Sequence, residues 1–138
     1  MGRLILDQDA FALSSLMEKI TRVRVKDSFK DDEGMIYFVV NFGDLGKAIG
    51  KGGVNIKKVQ QELGKKVKII EHRNNVIDFV KSIIYPIKVE EVVEEEGVIS
   101  IKDSSKKAKS LLIGRGGKNL KLINRAVKRF FDKEVKVV

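Results

Sequence analysis

The chain has 138 residues and no cysteine, so disulfide bonds and thiolate metal sites are excluded, and a reducing cytoplasm suits it. Its one histidine, His72, has no carboxylate or thiol at motif spacing, so we expect a surface residue and no metal ligand. No apolar run approaches the roughly 18 residues of a membrane span. The start, Met1 to Leu6, lacks a signal-peptide core. We therefore expect a soluble, cytoplasmic protein with no membrane partner.

A P-loop is also missing. That motif requires Gly-x-x-x-x-Gly-Lys-Ser/Thr. Residues 46–52 read Gly-Lys-Ala-Ile-Gly-Lys-Gly, which is one residue short between the glycines and has Gly52 where magnesium needs a hydroxyl. No dinucleotide fingerprint occurs either. The sequence therefore predicts a protein that is not an enzyme and that has no cofactor.

One segment of eight residues occurs twice. Residues 49–56 read Ile-Gly-Lys-Gly-Gly-Val-Asn-Ile, and residues 113–120 read Ile-Gly-Arg-Gly-Gly-Lys-Asn-Leu, an offset of 113 − 49 = 64 residues. We call Gly50–Gly53 the first glycine-rich turn and Gly114–Gly117 the second. The repeat predicts two small domains, residues 1–72 and 73–138, each near the lower size limit of a domain.

The positive charge is concentrated near the second turn. The formal net charge is +9, which favours a polyanionic partner. Residues 102–136 carry 12 Lys and Arg against 3 Asp and Glu, whereas residues 44–71 carry 7 against 3. An acidic cluster, Glu90 to Glu96, opposes this charge. We expect it to be a solvated hairpin, with repulsion of nucleic acid or magnesium binding as alternatives.

The same order of elements is predicted in both copies. In the first, Asp7 or Asp9 caps a helix whose apolar residues recur at helical spacing, Leu13, Leu16, Met17 and Ile20. Alternating residues 22–26 and the apolar run 35–42 predict two strands. The remaining elements are a short helix from Asp44 to Ile49, a helix from Val54 to Leu63 that stops at Gly64, and a strand at 67–70.

In the second copy, Asn74 or Asn75 caps a helix with Val76, Val80, Ile83 and Ile84 inward, and Pro86 ends it. Strands are predicted at 87–93 and 98–102, and Ser104 or Ser105 caps the next helix. After the turn, the helix is predicted to be four residues longer than its counterpart, because Gly117 to Val135 is 18 residues and Gly53 to Val67 is 14.

The turns are suited to phosphate. Glycine allows close approach and positive φ, and the following helix starts with free N–H groups and partial positive charge. Lys51 and Arg115 lie mid-turn, where a cation would meet the phosphate. We expect Ile49, Ile56, Ile113 and Leu120 to be core residues whose edges are candidates for base contact. Lys121, Arg125 and Lys128 form either a solvated helix face or further phosphate contacts.

The Ile-Gly-x-x-Gly-x-x-Ile/Leu pattern between two helices resembles the KH domain, in which such a loop clamps about four nucleotides. The order helix, strand, strand, helix, turn, helix, strand looks like the type II variant. Two such units in succession resemble the KH pair of the NusA family, and its short archaeal form in particular. The resemblance implies an α+β fold of two tandem type II KH domains, each a three-stranded sheet with helices on one face. Since the two units fill the 138 residues, we expect neither the amino-terminal polymerase-binding domain nor the S1 domain of the longer NusA form.

The resemblance also implies binding of single-stranded RNA, the nascent transcript, in termination, antitermination or pausing, with RNA polymerase as a further candidate partner and a monomer favoured. Two alternatives remain: a ribosome-assembly or general RNA-chaperone protein, and a polymerase adaptor that binds no RNA. The RNA-binding residues predicted in the first copy are Ile49, Gly50, Lys51, Gly52, Gly53, Val54, Ile56, Lys57 and Lys68. Those predicted in the second are Ile113, Gly114, Arg115, Gly116, Gly117, Lys118, Leu120, Lys121 and Lys136.

Overall fold

A computed structural model describes the backbone of residues 2–138 and the side chains from Phe11 onward. The chain divides into two compact units, Met1–His72 and Arg73–Val138, and each has its own three-stranded sheet. The first unit consists of α1 (Gly2–Thr21), β1 (Val25–Lys30), β2 (Ile36–Val40), α2 (Leu45–Ile49), α3 (Val54–Leu63) and β3 (Val67–Glu71). The second consists of α4 (Val76–Ile84), β4 (Glu91–Glu95), β5 (Val98–Lys102), α5 (Lys106–Ile113), α6 (Lys118–Phe131) and β6 (Glu134–Val137).

Both sheets have the same topology. The middle strand pairs antiparallel with the strand before it and parallel with the closing strand, so that β3 and β6 are edge strands. In the first unit the helices cover one sheet face, where Met17, Ala48 and Val59 pack against Phe38 and other strand residues. In the second unit Phe79 of α4 packs edge-on against Phe130 of α6, with ring centroids 5.6 Å apart.

Most predicted helix signals are confirmed. Asn75 Oδ1 accepts hydrogen bonds from the first turn of α4, and Ser105 Oγ accepts one from Ala108 N. Gly64 ends α3 in the left-handed region at φ 64°. The second motif helix has 14 residues against 10 in the first, which is the predicted difference of four.

The start of one helix and the starts of two strands differ from the predictions, and one predicted N-cap makes no side-chain bond. Helix α1 begins at Gly2, upstream of Asp7 and Asp9, whose side chains lie outside the described set. Asp44 occupies the N-cap position of α2 but its side chain makes no capping bond. The strands predicted at residues 22 and 87 begin three and four residues later, at Val25 and Glu91.

Local hydrogen bonds explain the late strand starts. After α1, Arg22 N donates to Glu18 O and Val23 N donates to Thr21 Oγ1, so the chain is still turning where alternation suggested a strand. After α4, Ile87 N donates to Ile84 O, so the chain is still turning at residue 87 and the strand begins later. Alternating apolar residues are therefore used here to anchor a turn against the core.

Candidate nucleic-acid interface

The two glycine-rich turns have nearly the same backbone conformation. Gly50 has φ 80° and ψ 164°, and Gly114 has φ 74° and ψ 169°, a region that is essentially restricted to glycine. The last two glycines of each turn are left-handed, with φ of 63° and 78° in the first turn and 65° and 80° in the second. Each turn is closed by a backbone hydrogen bond from its fourth residue to its first, at 3.0 and 3.1 Å.

An asparagine braces each turn. Asn55 Nδ2 donates to the carbonyl oxygen of Lys47 at 2.9 Å, and Asn119 Nδ2 donates to that of Leu111 at 2.8 Å. The same side chains lie against the first glycine, since a Cβ atom on Gly50 would be 2.9 Å from Asn55 Cγ, and one on Gly114 would be 2.8 Å from Asn119 Cγ. The brace thus links the helix before the turn to the helix after it.

These asparagines are absent from the sequence-predicted site, although the signal was available. Both copies of the repeat have asparagine two residues after the last glycine. A polar residue repeated at a fixed distance from a turn is a candidate for holding that turn, because its side chain can bond nearby backbone groups.

Both motif helices start directly after the last glycine. Gly53 and Gly117 are the N-cap residues, and neither helix start receives a side-chain capping bond from the described residues. The N–H groups and partial positive charge of the first helical turn therefore face the glycine-rich turn, which is an arrangement that favours an anion.

Cations surround this helix start. Lys51 and Arg115 are exposed within the turns. A Cβ atom on Gly53 would be 3.8 Å from Lys57 Cε, so the Lys57 side chain extends back across the first turn. In the second unit Lys118 is half-buried and Lys121 is exposed. Lys51 and Arg115 therefore lie within the turns, Lys57 reaches back toward the first turn, and Lys118 and Lys121 lie in the first turn of α6, directly after the second glycine-rich turn.

The apolar flank is partly core and partly surface. Ile49 and Ile56 are half-buried and pack against the core of the first unit, and Leu120 is half-buried in the second. Ile113 is 37% exposed, Val54 57% and Leu111 50%. The expectation that these flanking residues belong to the core thus fits the first copy better than the second, in which Leu111 and Ile113 present apolar surface beside the turn.

The edge strands are tied to the motif helices by side-chain amides. Gln60 Oε1 of α3 accepts a hydrogen bond from Val67 N at 3.0 Å. At the matching place in the second unit, Asn124 of α6 bonds both backbone groups of Val135. The outer edge of each closing strand is therefore bonded, at Val67 or Val135, to the helix that follows the glycine-rich turn.

Lys68 and Lys136 lie elsewhere. Val67 and Ile69 belong to the core below the helices, so Lys68 between them is on the opposite face of the sheet. Burial there lowers the pKa of the Lys68 ammonium group from its usual value. Lys136 pairs with Ser100 and lines an open cavity with Glu95. The structure brings neither lysine together with the turns.

On α6 the predicted outward cations, Lys121, Arg125 and Lys128, are exposed, and Ile123 and Val127 are buried. The helix has two faces of different character, as predicted. Its basic face starts at the second turn and continues for the length of the helix.

Glu90, Glu91, Glu94 and Glu95 of the acidic cluster have partners within their own unit. Glu90 accepts a 2.6 Å hydrogen bond from Ser104 Oγ, Lys102 pairs with Glu91 and Glu95 at 4.0 and 3.9 Å, and Lys133 pairs with Glu94. Among the described residues, no group of three or more acidic, histidine or cysteine side chains is arranged to hold a metal ion. These contacts favour the structural interpretation of the cluster.

The pKa of His72 lies below its ordinary value, chiefly because the imidazole is partly buried and to a lesser extent because of the charge of Lys26.

In the part of the chain that the structure describes, no helix is both long and apolar enough to cross a membrane.

The family model of the KH domain matches residues 13–97. The chain is 40% identical over 129 residues to the "Probable transcription termination protein NusA" of Methanococcus vannielii, covering 91% of this chain and 72% of that protein. It is 34% identical to the protein of the same name from Methanocaldococcus jannaschii, covering 94% and 72%. The crystal structure of APE1850 matches with a TM-score of 0.75 and 30% identity, over 95% of this chain and 99% of that one.

Proposed function

We propose that this chain, which belongs to the NusA family of KH-domain proteins, binds single-stranded RNA and acts on nascent transcripts in transcription termination, antitermination or pausing. The observation that carries the proposal is the pair of braced glycine-rich turns, each with an exposed cation and each followed by an uncapped helix start. RNA polymerase as a partner is part of the same proposal and follows from the family alone.

Each turn would hold the backbone of the strand. The start of the motif helix and the cation, Lys51 or Arg115, contact one phosphate of the RNA. Glycine leaves room for the phosphate oxygens to approach the main chain. Bases next to that phosphate then lie over the apolar flank, beside the outer edge of β3 or β6. The bases must be unpaired to do so, which is why the proposed ligand is a single strand.

The direct test is binding of a short single-stranded RNA against a duplex of the same length, by anisotropy across a salt series. We expect tighter binding of the single strand, with a log–log salt slope of about −0.7 per phosphate contact. Lys51→Ala and Arg115→Ala should weaken binding. Lys81→Ala, which removes the same charge from an exposed position on α4, is the matched control and should bind like the parent.

Equal affinity for the duplex, or a slope near zero, would contradict the proposal and favour an adaptor that binds no RNA. The role in transcription needs a second experiment. Crosslinking in extract followed by sequencing of the bound RNA should recover nascent transcript ends. Recovery of ribosomal RNA instead would support a ribosome-assembly function.

A further inference from the structure

We infer that the side chain that contacts a base follows the turn in the first unit, where it is Val54, and precedes the turn in the second, where it is Leu111. The inference rests on the proposed RNA-binding function and assigns which residues read bases and which meet phosphates. It brings Leu111 and Lys47, which no sequence motif marked, into the interface.

The two units offer the same frame for this comparison. The turn dihedrals agree within a few degrees, and each asparagine brace ends on the carbonyl oxygen of the residue three before the first glycine, Lys47 or Leu111. The first residue after the last glycine, Val54 or Lys118, starts the motif helix in each unit. Side chains at these two positions are therefore attached at equivalent points around the turn.

Charge and apolar character are interchanged between those points. The first unit has an exposed lysine before the turn, Lys47, and a valine after it that is 57% exposed. The second has a leucine before the turn that is 50% exposed, and a lysine after it, Lys118. At these two positions each unit therefore has one lysine and one exposed apolar side chain, and their order along the chain is reversed between the units.

Each position has a chemical preference. An ammonium group attracts phosphate, whereas an exposed branched aliphatic side chain gains by covering the face of an unstacked base. A single exposed apolar residue would need no explanation. Here two of them flank matching turns, and each has a lysine at the equivalent point of the other unit, which points to one base contact per turn.

Four single alanine variants test the inference: Lys47→Ala, Val54→Ala, Leu111→Ala and Lys118→Ala. For each we would measure the salt slope and the base preference, the latter by selection from a randomised single-stranded RNA pool. To isolate one turn, the first-unit variants are made in a chain carrying Arg115→Asp, and the second-unit variants in one carrying Lys51→Asp. Thermal melting checks that each variant is folded.

We expect the two apolar variants to alter base preference and the two lysine variants to alter the salt slope. Val54→Ala and Leu111→Ala should reduce discrimination between preferred and other bases, about fivefold, without changing the slope. Lys47→Ala and Lys118→Ala should lower the slope magnitude by about 0.7 and keep the base preference. The inference is overturned if Lys47→Ala and Leu111→Ala, the two changes before the turns, have the same effect. It is also overturned if base preference is unchanged in both Val54→Ala and Leu111→Ala. If the parent binds no single-stranded RNA, the proposed function itself fails, and this inference fails with it.

Discussion

Asn124 and Val135 are joined by two hydrogen bonds: Asn124 Nδ2 donates to the Val135 carbonyl oxygen at 2.9 Å, and Val135 N donates to Asn124 Oδ1 at 2.7 Å. The amide thereby occupies both backbone groups of a residue at the outer edge of β6. Among the described residues of the first unit, Gln60 makes one such bond, which it accepts from Val67 N. The edge strand of the second unit is therefore held more firmly to its motif helix.

The first prediction is that Asn124→Ala accelerates hydrogen exchange at the Val135 amide more than Gln60→Ala does at the Val67 amide. Each lost bond that leaves a part-buried partner unsatisfied costs about 1 to 3 kcal/mol. Exchange followed by NMR measures this residue by residue. Gln61→Ala, at an exposed position next to Gln60 on α3, serves as control, and equal acceleration there would show that the amide bond is not the cause.

The second prediction separates glycines within one turn. Gly50→Asn should destabilise the protein by roughly 3 kcal/mol or more, because its backbone conformation is closed to other residues and a Cβ atom would lie 2.9 Å from the backbone N of Asn55. Gly52→Asn should cost about 1 kcal/mol or less, because asparagine tolerates the left-handed region and no described residue beyond the two chain neighbours has a heavy atom within 4 Å of the Cβ position. Urea denaturation compares them, and similar losses would contradict the assignment.

The third prediction concerns the division of binding between the units. Arg115→Asp with Gly116→Asp should weaken RNA binding more than Lys51→Asp with Gly52→Asp, on the order of tenfold, because residues 102–136 carry more excess positive charge than residues 44–71. The charge change is the same in both double variants. Both glycines are left-handed with open space at Cβ, so aspartate fits.

Titration with labelled RNA measures the comparison, and melting curves check the fold. A larger loss in the first-unit variant would reverse the assignment. No loss in either variant, with parental melting, would remove the turns from the interface.

The fourth prediction is a pH dependence from His72. Its pKa is lower in the folded chain than the ordinary 6.5, so below pH 6.5 the unfolded chain binds more protons and the free energy of unfolding falls as pH falls. That contribution is fully present above pH 6.5 and is lost as pH drops through the folded pKa. His72→Gln should flatten the decline between pH 7.5 and 5.5 in denaturation experiments. An unchanged difference between the two pH values would exclude His72 as the source.

The fold could be predicted because its signals are local and occur twice. The α+β arrangement of two KH units is confirmed by the two sheets and by the family match. Ser105 and Asn75 cap helices as their side-chain chemistry dictates, and β5 has the predicted bounds, Val98–Lys102. The glycine turn was recognisable because positive φ at successive residues restricts composition strongly.

Other features depend on which group a side chain bonds, or on which face of the sheet it occupies. The alternation at 22–26 predicts a strand, but Arg22 has a positive φ of 59° and Val23 N bonds to Thr21 Oγ1, so the chain is still turning there. Lys68 was placed in the site by its nearness in sequence to Val67 and Ile69, whereas strand alternation directs it to the other sheet face. The repeated asparagine marks Asn55 and Asn119 as candidates for holding the turns, but the carbonyl groups that they bond lie eight residues away and are not marked by the repeat.

Because each turn is held by its own asparagine and backbone bonds, its shape is set by the chain itself. A ligand that docks there does not have to order the loop, and this removes one entropic cost of association. Encounter should then be governed by steering between the basic surface and the phosphates. Differences between RNA sequences should appear mainly in how long the complex lasts, so that dissociation rates and residence times, more than association rates, distinguish a preferred strand from a poor one.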